Sequence, residues 1–563
     1  MSKKNQTRDE LVFLPLGGCG EIGMNLNLYG FGPPHRRKWI ILDIGVTFGG
    51  EDTPGINIIM PDIEFLEDKV DDIIAIILTH AHEDHMGALA RLWPRLRCPV
   101  YATPFTMWLT KDRLGEAGLL DEVELHEIPL KGKFTLGPFD LELISLTHSI
   151  PEPNAVVVRT KAGLILHTGD WKIDTDPQIG EGVDYEALMA VGKEGVLAMV
   201  CDSTNVFSPG VSGSEAGVRA ELIKVVGEHR GKGMAVASFA SNVARLESIM
   251  VAARENERSV CLVGRSMHRM TEAAIFVGML KGVKGNLISE DQANSMPSGN
   301  VLYLCTGSQG EPRAALSRIA RGDHRTVKFG KGDVVIFSSK IIPGNEKKIF
   351  AMQNALADQG VEIITEKDRP IHVSGHPCRD ELAQMYAWVK PKISIPVHGE
   401  RRHLLEHARF AKNLQIKHTI APHNGEMIRI NQDGVKIIDI VPAGRLHEDC
   451  AIIVSAQDAS LRERKKMAYA GHVSINIVID ERGQLIGGPE PRASGFPHGE
   501  NGELLDNLLD EIAQAAEYAF RGLSKHKRSD EDEVEARVGA HVRKFLRNAT
   551  DKRAIVEVTA IQV

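Results

Sequence analysis

The sequence predicts an α/β fold: a two-sheet sandwich with its site along one sheet edge, an α/β insert, and a small separate α/β domain. Three observations lead there. Residues 1–214 carry many strand-like runs that end in polar clusters, with few helices between them. From about Glu215 to Pro370 the texture changes to alternating helices and strands, after which Ile393 to His398 again reads as an apolar strand ending in histidine. Beyond about Arg462 the pattern changes once more, to strands around two long helical stretches. The division expected is therefore a first domain over 1–214, an insert over 215–370, resumption of the first domain over 371–445, a linker over 446–465, and a C-terminal domain over 466–563.

Leu11 to Leu16 is a strand-like run that leads into Gly17-Gly18-Cys19-Gly20-Glu21-Ile22-Gly23, which contains GxGxxG. A dinucleotide fingerprint needs a helix after the glycines. Met24 to Tyr29 instead alternates apolar and polar, so a Gly-rich turn between strands is expected. Strands follow at Trp39 to Ile44 and at Ile73 to Leu78, the second apolar throughout, as in a strand buried on both faces. A short helix fits Met86 to Leu96, ending near Pro94. Further strands fit 139–146, 155–160, 164–167 and 196–201. In the insert, helices fit Ser214 to Glu228 and Val243 to Asn256, and strands fit 233–238 and 333–338. In the tail, His472 to Asp480 and Gln484 to Gly488 suggest a hairpin around Glu481-Arg482-Gly483. Leu504, Leu505, Leu508, Leu509, Ile512, Ala516 and Ala519 recur at helical spacing, a second helix follows the charged stretch 525–535, and Ile555 to Val563 alternates as a final strand.

The 563 residues exceed one ordinary core. Hydrophobic residues at 43% and charged residues at 25% suit a globular protein, and no run reaches the length of a membrane span. Met1 to Glu10 is polar and unlike a signal peptide, so a cytoplasmic address is expected. Seven cysteines without a CxxC pair argue against a disulfide framework or a thiolate zinc site, whereas 22 histidines supply nitrogen donors. A net charge of −8 means that any nucleic acid must be held by a local groove rather than a basic face.

The strongest signal is His80-Ala81-His82-Glu83-Asp84-His85, at the end of the buried strand. Three imidazoles and a carboxylate at HxHxDH spacing suit Zn²⁺, which favours nitrogen with some oxygen donors. His80 and His82 share a side of extended chain, and a turn brings Asp84 and His85 toward a second ion. His148, Asp170 and His398 each end a strand-like run and raise the set to seven, enough for two ions with Asp170 between them. Such a pair activates water near neutral pH and clamps both oxygens of a phosphoryl displacement. The same donors also serve lactam and thioester hydrolysis, so the count alone leaves the substrate open.

HxHxDH with the later His148, Asp170 and His398 resembles the metallo-β-lactamase superfamily. The resemblance implies its αββα sandwich, with His80, His82 and His148 on one zinc, Asp84, His85 and His398 on the other, and Asp170 bridging. Asp202 in Asp202-Ser203-Thr204-Asn205 and His376 in His372-Val373-Ser374-Gly375-His376 resemble the motifs of the β-CASP group, whose inserted domain falls at the insert here. THSIP at 147–151, HTGD at 167–170, ASFASN at 237–242, TGSQGEP at 306–312 and PGNE at 343–346 are similar to the RNase J family over nearly the whole chain.

That family implies a zinc-dependent ribonuclease that degrades single-stranded RNA 5′→3′, prefers a 5′-monophosphate, cuts internally as well, and acts in mRNA decay and rRNA 5′-end maturation. Mn²⁺ or Mg²⁺ can support activity. A homodimer or homotetramer built through the C-terminal domain, and RNA-degradation partners, are further implied. Ser238, Ser241, Ser374 and His376 are the expected RNA and phosphate contacts. His376, Asp84 and Asp202 are the expected catalytic residues, with Asp202 fixing the tautomer of a ligand histidine. His372 reads as a structural histidine, and Ser308 and Glu311 fit helix capping as well as an RNA path. Pro377 supplies no N–H donor beside His376.

Overall fold

The computed structural model describes residues 9–282 and 284–563. The polar N-terminal stretch through Arg8 lies outside them. The chain divides into two units, one running to Thr47 and then over Met60–Arg445, the other comprising Phe48–Ile59 and Leu446–Val563.

The first unit is built on two sheets. An eight-stranded sheet runs in the order Gly434–Ile440, Glu426–Asn431, Glu10–Gly17, Leu26–Gly32, Lys38–Leu42, Ile73–Ile77, Val100–Ala102, Leu125–Glu127. A seven-stranded sheet runs Lys133–Leu136, Phe139–Ser145, Asn154–Thr160, Gly163–His167, Val196–Asp202, Ile393–Val397, His418–Thr419. Leu11, Phe13, Ile40 and Ile77 of one sheet and Val156, Ile165, Val200 and Ile395 of the other form a single buried cluster between them. A second cluster seats the helices Tyr185–Glu194 and Arg379–Val389 on the outer face of the seven-stranded sheet. The αββα sandwich predicted from sequence is thus the fold observed. The Gly-rich segment after the first strand is a connection to an antiparallel strand, not to a helix. The stretch read as one helix from Met86 is a single turn, Glu83–Met86, followed by Leu89–Leu96, with Pro94 inside the second helix rather than ending it.

The insert holds a six-stranded sheet in the order Leu287–Ile288, Ser259–Val263, Val301–Cys305, Met234–Ala237, Val334–Phe337, Glu362–Ile364. Every neighbouring pair is parallel. All its strands therefore present their C-terminal ends, and the polar loops that follow them, along one edge. Ser238, Ser241 and Ser338 sit in two of those loops, after Met234–Ala237 and after Val334–Phe337.

In the second unit Val473, Ile475, Ile477 and Ile479 place alternate side chains of one strand against two helices, Glu503–Arg521 and Glu531–Thr550. Those helices answer with Ile512, Ala516, Val534, Val538 and Val542, spaced to share a face. Two expectations are corrected here. The antiparallel partner of His472–Ile479 is Glu490–Ser494, with Ile555–Gln562 parallel on its other side; Gln484 to Gly488 makes only an isolated bridge between Leu485 and Ile479. The turn after Asp480 is held by its own carboxylate, which accepts from the Arg482 and Gln484 N–H groups, so the chain travels further before it pairs. The expected linker 446–465 is structured. It contains an antiparallel strand pair, Arg445–Asp449 with Ile452–Ser455, and the start of the helix Ala459–Ala470.

Candidate metal centre

HxHxDH lies beyond the C-terminal end of Ile73–Ile77. Irregular chain carries His80, extended backbone carries His82, and one helical turn carries Asp84 and His85. Gly45 passes so close to this turn that a Cβ there would fall 1.7 Å from the Asp84 carbonyl oxygen, so only glycine allows the approach.

Among the described residues three donor groups form, and Asp170 belongs to each: His80, His82, His148 and Asp170; Asp84, His85, Asp170 and His398; and Asp170, Asp202 and His376. In the first, His80 Nε2 and His148 Nε2 each lie 3.1 Å from His82 Nδ1. Their outward nitrogens are engaged elsewhere. His80 Nδ1 is 3.0 Å from Thr79 Oγ1, His148 Nδ1 donates to the Gly375 carbonyl at 2.5 Å, and His82 Nε2 is 3.1 Å from Ser241 Oγ. Each imidazole therefore turns its free nitrogen toward a common point. Burial, reinforced by neighbouring imidazoles, holds His80 and His82 well below the usual histidine pKa and brings His148 down to about 3. Neutral imidazole is the form that binds a metal.

The second group is carboxylate-rich. His85 Nδ1 donates to Asp43 Oδ2 at 2.7 Å, which leaves Nε2 3.2 Å from Asp170 Oδ2 and 3.5 Å from Asp84 Oδ2. Burial opposes charge on His85, but Asp170, Asp84 and Asp43 outweigh it and raise its pKa well above the usual value. Burial would likewise raise Asp170; His398 and His85 instead pull it well below the carboxylate range. His398 adopts φ 51°, with its N–H on the Gly18 carbonyl at 2.7 Å and its own carbonyl accepting from Thr204 Oγ1.

The residues fit a metal. Asp170 Oδ1 is buried and makes no hydrogen bond, although His398 Nδ1 lies 3.1 Å away; a cation satisfies such an oxygen.

His376 Nδ1 donates to Asp202 Oδ2 at 2.8 Å and lies 3.9 Å from Asp170 Oδ2, with its ring 5.0 Å from His148. Burial works against its charge; Asp202 prevails and raises its pKa to about 9. The histidine that Asp202 holds is His376, and the two group with Asp170 as the third set of candidate donors. Ser374 accepts from Asn205 Nδ2 at 2.7 Å and from the His376 N–H at 3.2 Å, so it shapes the loop that carries His376. Ser238 is buried, and its hydroxyl finds no partner among the described residues. His372 is held near Arg245, and burial with that guanidinium brings its pKa to about 3. Glu311 accepts from the Gln309 N–H.

Sequence reasoning missed Asp43, Asn25 and the Gly375 carbonyl. Asp43 also accepts from Thr79 N–H and Oγ1, both at 2.8 Å. Asn25 Nδ2 lies 3.1 Å from His85 Nε2 and 3.0 Å from His398 Nδ1. An aspartate just after Lys38–Leu42 was the available signal for Asp43; Asn25 was hidden behind the glycine motif.

Four family descriptions match the chain: beta-lactamase superfamily domain over 38–191, ribonuclease J beta-CASP domain over 231–356, Zn-dependent metallo-hydrolase RNA specificity domain over 360–422, and ribonuclease J C-terminal domain over 459–563. Ribonuclease J of Sinorhizobium meliloti is 43% identical over 557 residues, covering 99% of this chain and 98% of that protein. Ribonuclease J 1 of Streptococcus pyogenes is 34% identical, covering 97% of each. Ribonuclease J of Mycobacterium tuberculosis is 37% identical, covering 85% of this chain and 86% of its own. A solved protein of unknown function from Enterococcus faecalis V583 superposes with TM-score 0.52 at 15% identity, over 75% of this chain and 100% of that one, a likeness of fold alone.

Proposed function

The chain belongs to the ribonuclease J family and is a hydrolytic ribonuclease, and from that premise we propose that it is a 5′→3′ exoribonuclease. It prefers 5′-monophosphorylated single-stranded RNA, also cuts internally, and serves mRNA decay and rRNA 5′-end maturation in the cytoplasm. Among the described residues no helix is long and apolar enough to cross a membrane. The enzyme works as a homodimer or homotetramer built through its C-terminal domain, alongside RNA-degradation partners.

The convergence of six donors, His80, His82, His148, Asp84, His85 and His398, on Asp170 supports this reading. His80, His82 and His148 would hold one Zn²⁺ and Asp84, His85 and His398 another, with Asp170 between; Mn²⁺ or Mg²⁺ would support activity. Metal bound there supplies activated water near neutral pH and neutralises charge on the phosphate. The protein's own part is placement. Asp202 holds the His376 imidazole beside Asp170, where it stabilises developing charge or delivers a proton to the leaving 3′-oxygen. The free hydroxyl of Ser238 and the hydroxyls of Ser241 and Ser374 supply neutral phosphate contacts, in keeping with the protein's net negative charge.

One RNA carrying a 5′-monophosphate, 5′-triphosphate or 5′-hydroxyl tests the reading, with wild type and His82→Ala compared and products sized by internal and 5′ labels. Mononucleotide release confined to the monophosphate form, and lost in the variant, is the expected result. Equal internal cutting of all three removes the exonuclease assignment, and no cutting with any metal removes RNA as substrate.

A further inference from the structure

The insert is joined to the sandwich by two chain crossings, one entering near Glu215 and one returning through Ile371 to His376. One guanidinium holds both. Arg245 is fully buried and donates through Nε and Nη2 to both Glu215 oxygens, at 2.9 and 2.8 Å. Its Nη1 donates to the Ser338 carbonyl at 2.9 Å and to the Ile371 carbonyl at 3.1 Å. Ser338 Oγ also donates to the Ile371 carbonyl, at 2.7 Å. Glu215 is tied in turn to the sandwich: its N–H donates to Asp174 Oδ2, which lies 3.0 Å from Lys172 Nζ, and the Asp174 N–H donates to Thr147 Oγ1.

Two further contacts link this knot to the metal donors. Asn242 caps the helix that carries Arg245, accepting the Arg245 N–H at 2.9 Å while its amide donates to Glu215 Oε1 at 3.1 Å. The residue before it, Ser241, is the one that touches His82. On the return crossing, Gly375 follows Ile371 and His372 and gives its carbonyl to His148; a Cβ at Gly375 would fall 2.8 Å from that ring. Two of the three histidines in the first donor group are therefore oriented by atoms of the insert and its return crossing.

We propose that Arg245 is a positioning residue for the ribonuclease reaction: by joining the two crossings it sets Ser241 against His82 and Gly375 against His148, and so fixes the first metal position against the RNA-facing edge of the insert. A planar guanidinium engages both carboxylate oxygens side by side while its third nitrogen reaches two carbonyls; an ammonium has three donors but not that fixed fork. The proposal rests on the metal-site reading above.

A double-mutant cycle between Arg245→Gln and Ser241→Ala tests it, with two readouts: the single-turnover rate on 5′-monophosphorylated RNA, and the rate of zinc release to a chelator. Ser241→Ala alone is expected to cost about 10-fold, the scale of losing a hydrogen bond that orients a metal ligand. Arg245→Gln is expected to cost at least as much and to accelerate release of one zinc only. Because Arg245 acts through Ser241, the double variant should be no more than about 2-fold worse than Arg245→Gln. Multiplying effects, or equal acceleration of both zincs, overturns the positioning role while leaving the metal site standing. Ser241→Ala with unchanged rate and unchanged zinc release also overturns the positioning role, whereas wild type that binds no zinc overturns the site reading itself. If Arg245→Gln does not fold, Arg245→Lys, which keeps the buried charge but not the fork, takes its place in the same cycle with the same outcomes.

Discussion

The first two donor groups around Asp170 differ in where their support comes from. His82 and His148 lean on Ser241 and Gly375, which belong to the insert and its return crossing. His85 and His398 lean on Asp43, Asn25, Gly18 and Thr204, all within the sandwich. The contacts of one donor group are therefore drawn from two parts of the protein, and those of the other from one. The partners differ in chemistry too, since a carboxylate raises the basicity of the histidine it holds more than a hydroxyl does.

This contrast can be broken in four ways, from the largest effect down. Asp170→Asn removes the oxygen common to both groups, so turnover should fall to background and metal content, read by atomic emission, should fall at both positions. Retention of one full equivalent of metal would show that Asp170 is not shared. Asp43→Asn should cost about 10- to 100-fold in activity or metal affinity, confined to the position held by His85. Chelator competition reads it, and weakening of the other position would erase the contrast. Ser374→Ala should cost less, about 10-fold at most, because it loosens the loop around His376 without touching His80, His82, His85, His148 or His398. An unchanged metal content with a lowered kcat is the expected signature; metal loss would place Ser374 elsewhere in the scheme.

The most selective effect, read in stability rather than turnover, concerns Glu215. Burial alone would raise its pKa, but Arg245 and then Lys172 bring it below the usual carboxylate value. A depressed folded-state pKa contributes stability that is fully present above the unfolded value and lost as pH falls through the folded one. Thermal melts on the acid side should therefore fall less steeply with pH in Glu215→Gln than in wild type, on a lower plateau at neutral pH. Parallel acid limbs would remove Glu215 from the account.

What could be read in the chain follows the same division. HxHxDH was legible because its donors fall at a fixed close spacing, and His148, Asp170 and His398 because each ends a strand-like run and matches the pattern of the resembled superfamily. The sandwich and the insert were legible because strand and helix periods differ. Asp43 was not, since a single aspartate after a strand carries no spacing signal. The Gly375 carbonyl was invisible in principle, because a backbone oxygen has the same chemistry in every residue, and only the closeness that demands glycine betrays it. The C-terminal hairpin was misplaced because Gln484-Leu485-Ile486 has strand-like composition, while pairing was decided by the turn that Asp480 organises.

Assembly order follows from the crossings. Six of the seven donors precede the insert in the chain, and His398 comes only after it, on the strand Ile393–Val397 that docks in parallel against Val196–Asp202. That pairing spans the whole insert, so it forms late among the contacts of the sandwich. A growing chain thus carries an incomplete donor set until the insert has been made and the sandwich has closed behind it.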